Sequence, residues 1–334
     1  MKALQSITPG GPRTLQLVDV PVPVPGPGDV LVTIEACSIN YPDVLIIEDK
    51  YQVRPPRPFS PGGEVAGTIR ALGQNVTGFS LGDRVCGVTG YGGLAEAMTL
   101  PASKAFRMPV NMPFEHAAAL LMTYGTSFHA LVDRAYLQAG ETLLVLGAAG
   151  GIGISAIEVG KALGARVIAA ASSADKIKCC REQGADETLV YPPGALDRDA
   201  QRLLSEQFKS VLGPVGADVI LDPVGGDYAE PALRAIAWEG RFLVVGFAAG
   251  IPKLPLNLPL LKGCDVLGVS LGGFGVRHPD HYRRNIEALF NLYGKGRIKP
   301  LISERYTLDR GGEAIARLAA REVTGKVIVL SQKS

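Results

Sequence analysis

The chain has 334 residues, a length suited to two domains with a full core. Its 34 Lys and Arg stand against 32 Asp and Glu, a net charge of +2, and no charge excess points to nucleic acid or a membrane surface. No stretch reaches the roughly 18 apolar residues of a bilayer span, and the first residues, MKALQSITPGG, lack the apolar core of a secretion signal. Five cysteines, an odd number without CxxC spacing, fit a reducing, cytoplasmic location.

In chain order, residues 1–110 are rich in Pro and Gly. Short β-prone runs at 15–20, 30–36, 67–71 and 84–88 are separated by turn signals, which predicts a compact β-barrel-like domain. Pro21, Pro23, Pro25 and Pro27 form a rigid extended connector. A helical pattern runs from 113 to about 133. Strands and helices then alternate: strands at 143–146, 166–171, 188–191, 218–221, 242–245 and 266–270, with helices after the turn at 147–153 and from 174, 197 and 228, the last reaching 237. Such alternation implies a doubly wound parallel sheet. The tail reads as a helix at 281–293, a strand near 305, a helix at 312–321 and a strand at 327–330. These elements are too few for a third domain, so the tail is expected to return and complete the first one.

The segment 143–173, LLVLGAAGGIGISAIEVGKALGARVIAAASS, is a βαβ unit of the kind that holds a dinucleotide. Its first strand is apolar without alternation, as expected for a strand buried on both faces. Gly147 to Gly153 form the turn: Gly150, with Gly151 and Ile152, admits the backbone to a pyrophosphate, and Gly153 permits close packing of the following helix on the strand. The end of the second strand selects the cofactor. An NAD-specific unit usually carries Asp or Glu there, whereas this chain has Ala171, Ser172 and Ser173, with Lys176 one turn on. Small hydroxyls and a cation suit a 2′-phosphate, which favours NADPH, and Asp175 weakens that preference. Ser172 and Ser173 read equally as caps of the next helix.

The glycines also fit GxxxGxG, at Gly147, Gly151 and Gly153, a pattern of short-chain dehydrogenases. About 140 residues precede the unit, however, and no Tyr is followed four residues later by Lys.

The whole set of motifs resembles the medium-chain dehydrogenase/reductase superfamily, and within it the zinc-free, zeta-crystallin-like NADPH:quinone oxidoreductase family. The carriers are ACSINYPDVLIIEDKYQ (36–52), PFSPGGEVAG (58–67), GDRVCG (82–87), GGLAEAMTLPA (92–102), AAALLMTYGTSFHAL (117–131), GAAGGIG (147–153), DPVGG (222–226) and TGKVIVL (324–330). The resemblance implies an α/β protein with a GroES-like β-barrel catalytic domain from both chain ends (1–118 and 272–334). Between them it implies a Rossmann doubly wound parallel sheet (119–271), with the active site in a cleft. It implies further cofactor contacts at Thr126, Tyr191, Val224, Phe247, Ala249, Leu271, Gly273 and Arg321. For the turn at 223–226 a purely structural reading serves equally well.

The zinc branch of the superfamily shares this fold. Aligned on the motifs, its three catalytic ligands fall at Asn40, Gly63 and near Met122, which is no zinc set. The pair His278 and His281 has ligand-like spacing but reads as a solvated helix start. Without a Lewis acid an unactivated alcohol is a hard substrate, while an electron-poor quinone or enone needs mainly alignment in a dry site. Tyr51 is the first candidate to hydrogen-bond or protonate the substrate oxygen and Tyr41 the second, each with core packing as the alternative. Asn40 is expected to donate to ribose, nicotinamide or substrate. Asp43 and Glu64 read as structural carboxylates and His129 as a satisfied buried histidine. The expected partner is a small-molecule quinone or enone, with enoyl thioesters or a non-catalytic crystallin or RNA-binding role as alternatives. The segment 265–271, DVLGVSL, reads as an unguarded edge strand and implies a homodimer.

Overall fold

The computed structural model describes residues 1–331. They form two compact units, one made of residues 1–122 and the chain from 300 onward, the other of residues 123–299. The expected boundaries at 118 and 272 therefore move to 122 and 300. Residues 272–299 stay with the parallel-sheet unit, because the helix they carry buries Asn285, Ile286 and Leu289 there. Residues 332–334 of the expected domain range lie outside the described residues.

In the first unit, strand β1 (Lys2–Ser6) pairs antiparallel with β2 (Leu15–Asp19). Next come β3 (Asp29–Ile39), helix α1 (Tyr41–Ile46), β4 (Glu64–Leu72), β5 (Arg84–Val88), β6 (Ala97–Pro101), β7 (Ala105–Arg107) and α2 (Phe114–Ala118). The chain returns after residue 300 as β14 (Ile302–Thr307), α11 (Gly311–Ala319) and β15 (Lys326–Leu330). The sheet order is β14-β15-β3-β4-β5-β7, with β6 also pairing β3. β15 lies antiparallel to β3, Val329 opposite Cys37. The tail thus completes the first unit, because β3 is buried along most of its length and needs a partner on that edge. Ile34, Ile39, Val65, Leu94, Val327 and Val329 share the core this creates. β1, β6 and β7 had no clear signal, being five residues or fewer.

The second unit runs α3 (Thr123–Phe128), β8 (Thr142–Val145), α4 (Gly151–Ala162), β9 (Arg166–Ala171), α5 (Ala174–Glu182), β10 (Glu187–Val190) and α6 (Arg198–Leu212). It continues as β11 (Ala217–Asp222), α7 (Ala229–Leu233), β12 (Ile236–Val244), α8 (Asn257–Lys262), β13 (Asp265–Gly268), α9 (Leu271–Arg277) and α10 (Pro279–Gly294). All six strands are parallel, in the order β10-β9-β8-β11-β12-β13. In strand sequence this is 3-2-1-4-5-6, the Rossmann order, whose reversal falls beside β8. Leu143–Val145, Val167–Ala170 and Val219–Leu221 are fully buried, which explains their unbroken apolar runs. α6 shows the opposite pattern. Leu204, Phe208 and Leu212 recur every four residues on its buried face, and Asp197 caps it by accepting the Ala200 N–H at 2.8 Å.

Two expected helices change. The one read over 113–133 divides into α2 and α3, with a π-helical turn at His129–Arg134 closing the latter. The one read over 228–237 stops at Leu233, and Ile236 already belongs to β12, paired with Ala217 of β11. Local helical pattern yields there to a long-range ladder that buries Ile236 and Ala237.

Candidate active site

In the parallel unit the expected cofactor residues collect at the C-terminal ends of the strands. The turn after β8 needs glycine twice. Gly147 has φ +57°, and a Cβ there would lie 2.8 Å from Val224; a Cβ on Gly153 would lie 2.4 Å from the Ala148 backbone. Gly150 is the N-cap of α4 and brings no side chain to its first N–H groups, so that helix start is open to an anion.

At the end of β9, Ser173 caps α5 by accepting the Lys176 N–H at 3.3 Å, so its capping role is real. The Lys176 ammonium donates to the Ser172 hydroxyl at 3.3 Å, which draws cation and hydroxyl together beside Ala171. Tyr191 follows β10 as a buried ring 4.9 Å from Tyr228. Its hydroxyl accepts the Gly147 N–H, tying the end of β10 to the glycine turn; burial first, then Tyr228, raise its pKa against that bond.

After β11, Asp222 accepts the N–H groups of Val224 and Gly225, both at 2.8 Å. Burial nonetheless pushes its pKa up to about 6. Ala249 donates its N–H to the Val224 carbonyl at 2.7 Å, bringing the loops after β11 and β12 together with Phe247, which is half-exposed. Leu271 lies against Gly125, one residue from Thr126 on α3, and Gly273 donates its N–H to Ser270 at 3.3 Å. Arg321 stands apart from this group, in the other unit just beyond α11, with φ +59°.

The antiparallel unit holds the expected catalytic residues around a buried ionic network. Tyr41 opens α1 and is 38% exposed. Tyr51 packs its ring on the apolar core of that unit. Its phenol pKa is raised by burial and then by the charge of Asp43. Asn40 corrects its expectation. It is 7% exposed, and its amide donates to Glu64 at 3.0 Å and to the Ser38 carbonyl at 3.3 Å, so no N–H remains for ribose, nicotinamide or substrate. The other end of that amide accepts from the ammonium of Lys326 at 2.5 Å. Lys326 is a buried member of this network that the sequence reading did not single out. Its only signal was a lysine opening an apolar terminal strand, KVIVL.

Asp43 and Glu64 are wholly buried, as structural carboxylates should be. Asp43 accepts the N–H groups of Asn40 and Gly62, at 2.8 and 2.9 Å. Burial lifts its pKa to about 6 against those bonds and the charge of Lys326. Glu64 accepts from Asn40 and from the Met122 N–H, the latter at 2.8 Å.

Of the three positions aligned with zinc ligands, Asn40 donates its amide and Met122 its backbone N–H to Glu64, and Gly63 precedes that residue in the chain. They offer an engaged amide, a glycine and a thioether, a set that does not suit zinc. Burial holds the nearby Cys37 thiol well above its usual pKa, which opposes the thiolate a metal requires. Among the described residues no three His, Cys, Asp or Glu side chains converge as a metal site. His281 pairs with Asp133 at 3.2 Å, and the buried His129 pairs with the same carboxylate at 2.8 Å.

Residues 26–110 match the family described as Alcohol dehydrogenase GroES-like domain, and residues 151–291 the family described as Zinc-binding dehydrogenase. Quinone oxidoreductase-like protein 2 of Bos taurus is 37% identical over 95% of this chain and 89% of its own length. The solved structure of Escherichia coli quinone oxidoreductase complexed with NADPH superposes with a TM-score of 0.88, at 27% identity, over 99% of this chain and 100% of that one. A mycobacterial protein, also complexed with NADPH, gives a TM-score of 0.89 at 30% identity over 99% and 100% of the two chains. With both units and their motifs matched along nearly its full length, the chain belongs to the quinone oxidoreductase family of the medium-chain dehydrogenase/reductase superfamily.

Proposed function

We propose that the protein is an NADPH-dependent reductase that delivers hydride to the conjugated carbonyl of a quinone without a metal. The observation that carries the reading is the end of β9, where Lys176 and Ser172 converge beside Ala171 in place of a ribose-binding carboxylate. The NADPH complexes and the quinone oxidoreductases among the relatives support it. Ser172 and Lys176 would hold the 2′-phosphate, and the open N-terminus of α4 the pyrophosphate. Bound NADPH supplies the hydride. Tyr51 donates a hydrogen bond to the acceptor oxygen as charge develops there. Tyr41 is a second donor. A quinone or enone spreads the developing charge over its own conjugated system, so one or two such donors suffice where an alcohol would need a Lewis acid.

The test is turnover of NADPH against a panel of a benzoquinone, a small enone and an enoyl-CoA ester, before and after chelator treatment. Fast quinone reduction that survives the chelator is expected. Preference for the thioester, or loss of activity with a stoichiometric metal, would overturn the reading. NADPH should bind several-fold more tightly than NADH at low salt. Lys176→Ala should weaken NADPH by about tenfold and leave NADH unchanged, since a Lys–phosphate contact is charge-assisted.

We further propose a homodimer through β13, which stands at the margin of the parallel sheet. A light-scattering mass of one chain at micromolar concentration would exclude it.

A further inference from the structure

Lys326 opens β15 and is only 4% exposed. Three acceptors face its ammonium: Asn40 Oδ1 at 2.5 Å, the Ile39 carbonyl at 3.4 Å and Glu64 Oε2 at 3.6 Å. An ammonium has three donors and no acceptor; two are hydrogen-bonded, and the Glu64 carboxylate adds an ion-pair contact whose charge, with that of Asp43, opposes the lowering of the Lys326 pKa by burial. Burying that charge carries a desolvation cost that a methionine of similar shape would avoid. Packing alone therefore does not account for a lysine here.

The consequence of the cation lies at its other end. It fixes which way the Asn40 amide faces, Oδ1 to the ammonium and Nδ2 to Glu64. Asn40 is the N-cap of α1, and its backbone N–H is held by Asp43. The next residue is Tyr41. Asp43 in turn lies close enough to Tyr51 for its charge to act on the phenol. The titratable groups around the ammonium are Glu64 on β4, Asp43 on α1 and Cys37 on β3. The Asp43 charge makes the phenol a weaker proton donor, and the charge of Lys326 acts on Asp43 itself, holding its pKa down against burial.

We propose that Lys326 is a positioning residue for the reduction: it anchors Asn40 and, through that N-cap, the first turn of α1 that carries Tyr41. This rests on the quinone reductase reading above, in which the tyrosine hydroxyls meet the acceptor oxygen.

The experiment compares the wild type with Lys326→Met, Lys326→Arg and the double variant Lys326→Met/Glu64→Gln. The double variant removes the ammonium together with the charge it balances, so it folds even where the single variant does not. Lys326→Met is expected to lower kcat about tenfold, move the alkaline limb of the kcat profile, where the tyrosine donor ionises, to higher pH and leave NADPH affinity unchanged. Lys326→Arg should recover most of kcat. The double variant should regain stability while kcat stays low, because Asn40 is still unanchored. In protein labelled with 15N-asparagine, the Asn40 side-chain amide signals should shift and exchange faster with water in both methionine variants.

Wild-type kcat in the double variant would reduce Lys326 to charge balance and overturn the proposal. So would a folded Lys326→Met with wild-type kcat and pH profile, or unchanged Asn40 amide signals. A wild-type protein that turns over no acceptor sinks the reductase reading instead, and the amide signals then decide the anchoring by themselves.

Discussion

The two units build their candidate sites from different materials. The parallel unit uses backbone: a glycine turn, the uncapped start of α4 and loops at strand ends whose N–H groups are aimed by Asp222. The antiparallel unit uses side chains: Asn40, Asp43, Glu64 and Lys326, all buried, all hydrogen-bonded and drawn from three elements, α1 with its N-cap, β4 and β15. The first kind of site tolerates change in most side chains and fails when a Cβ intrudes. The second kind fails when one charge loses its partner.

The comparison is broken most forcefully at Glu64. Glu64→Leu strands the Lys326 ammonium and leaves the Met122 N–H and one Asn40 N–H without acceptors, which should cost about 3–5 kcal/mol by urea unfolding. A loss below 1 kcal/mol would mean the network is hydrated and not a buried unit.

Gly153→Ala tests the backbone site. The new Cβ meets rigid Ala148 backbone, so α4 must shift, at about 1–3 kcal/mol in stability. NADPH affinity should fall more than the stability loss implies, because the helix start is the proposed phosphate site. Unchanged affinity in a fluorescence titration would separate α4 from cofactor binding.

The smallest effect is a pH slope. Asp222 rises from 3.8 in the free side chain to about 6 when folded, so the folded protein holds this proton more tightly than the unfolded chain. Its contribution to stability is therefore fully present below pH 3.8 and is lost as pH rises through about 6. Asp43, also raised to about 6, has the same sign, and its Lys326 partner acts to lower its pKa. Asp222→Asn should flatten the fall in urea midpoint between pH 4 and 6 by about one proton, leaving the share from Asp43. An unaltered slope would show that Asp222 ionises as freely as in water.

Where the signal was local, the fold could be read directly. β8, the glycine turn, α4 and β9 follow one another within about thirty residues, and each has its own rule: apolar run, glycine pair, amphipathic helix, C-terminal glycine. The helix starts at Asp197 and Ser173 were legible for the same reason, since a cap bonds three residues along. The reading failed where a distant partner decided. Ile236 left a helical pattern to pair with Ala217, and residues 272–299 stayed with the parallel unit because α10 buries its inner face there.

By itself the sequence determined the parallel sheet, the dinucleotide turn and the return of the tail to the first unit. Only the tertiary structure decided what Asn40 does. Its partners Glu64 and Lys326 are 24 and 286 residues away, and no periodicity or spacing links them. A strand records its burial in its own residues, because every residue along it meets the same apolar surroundings. A buried ion network records only that polar residues exist, and which of them meet is set when β15 is laid against β3.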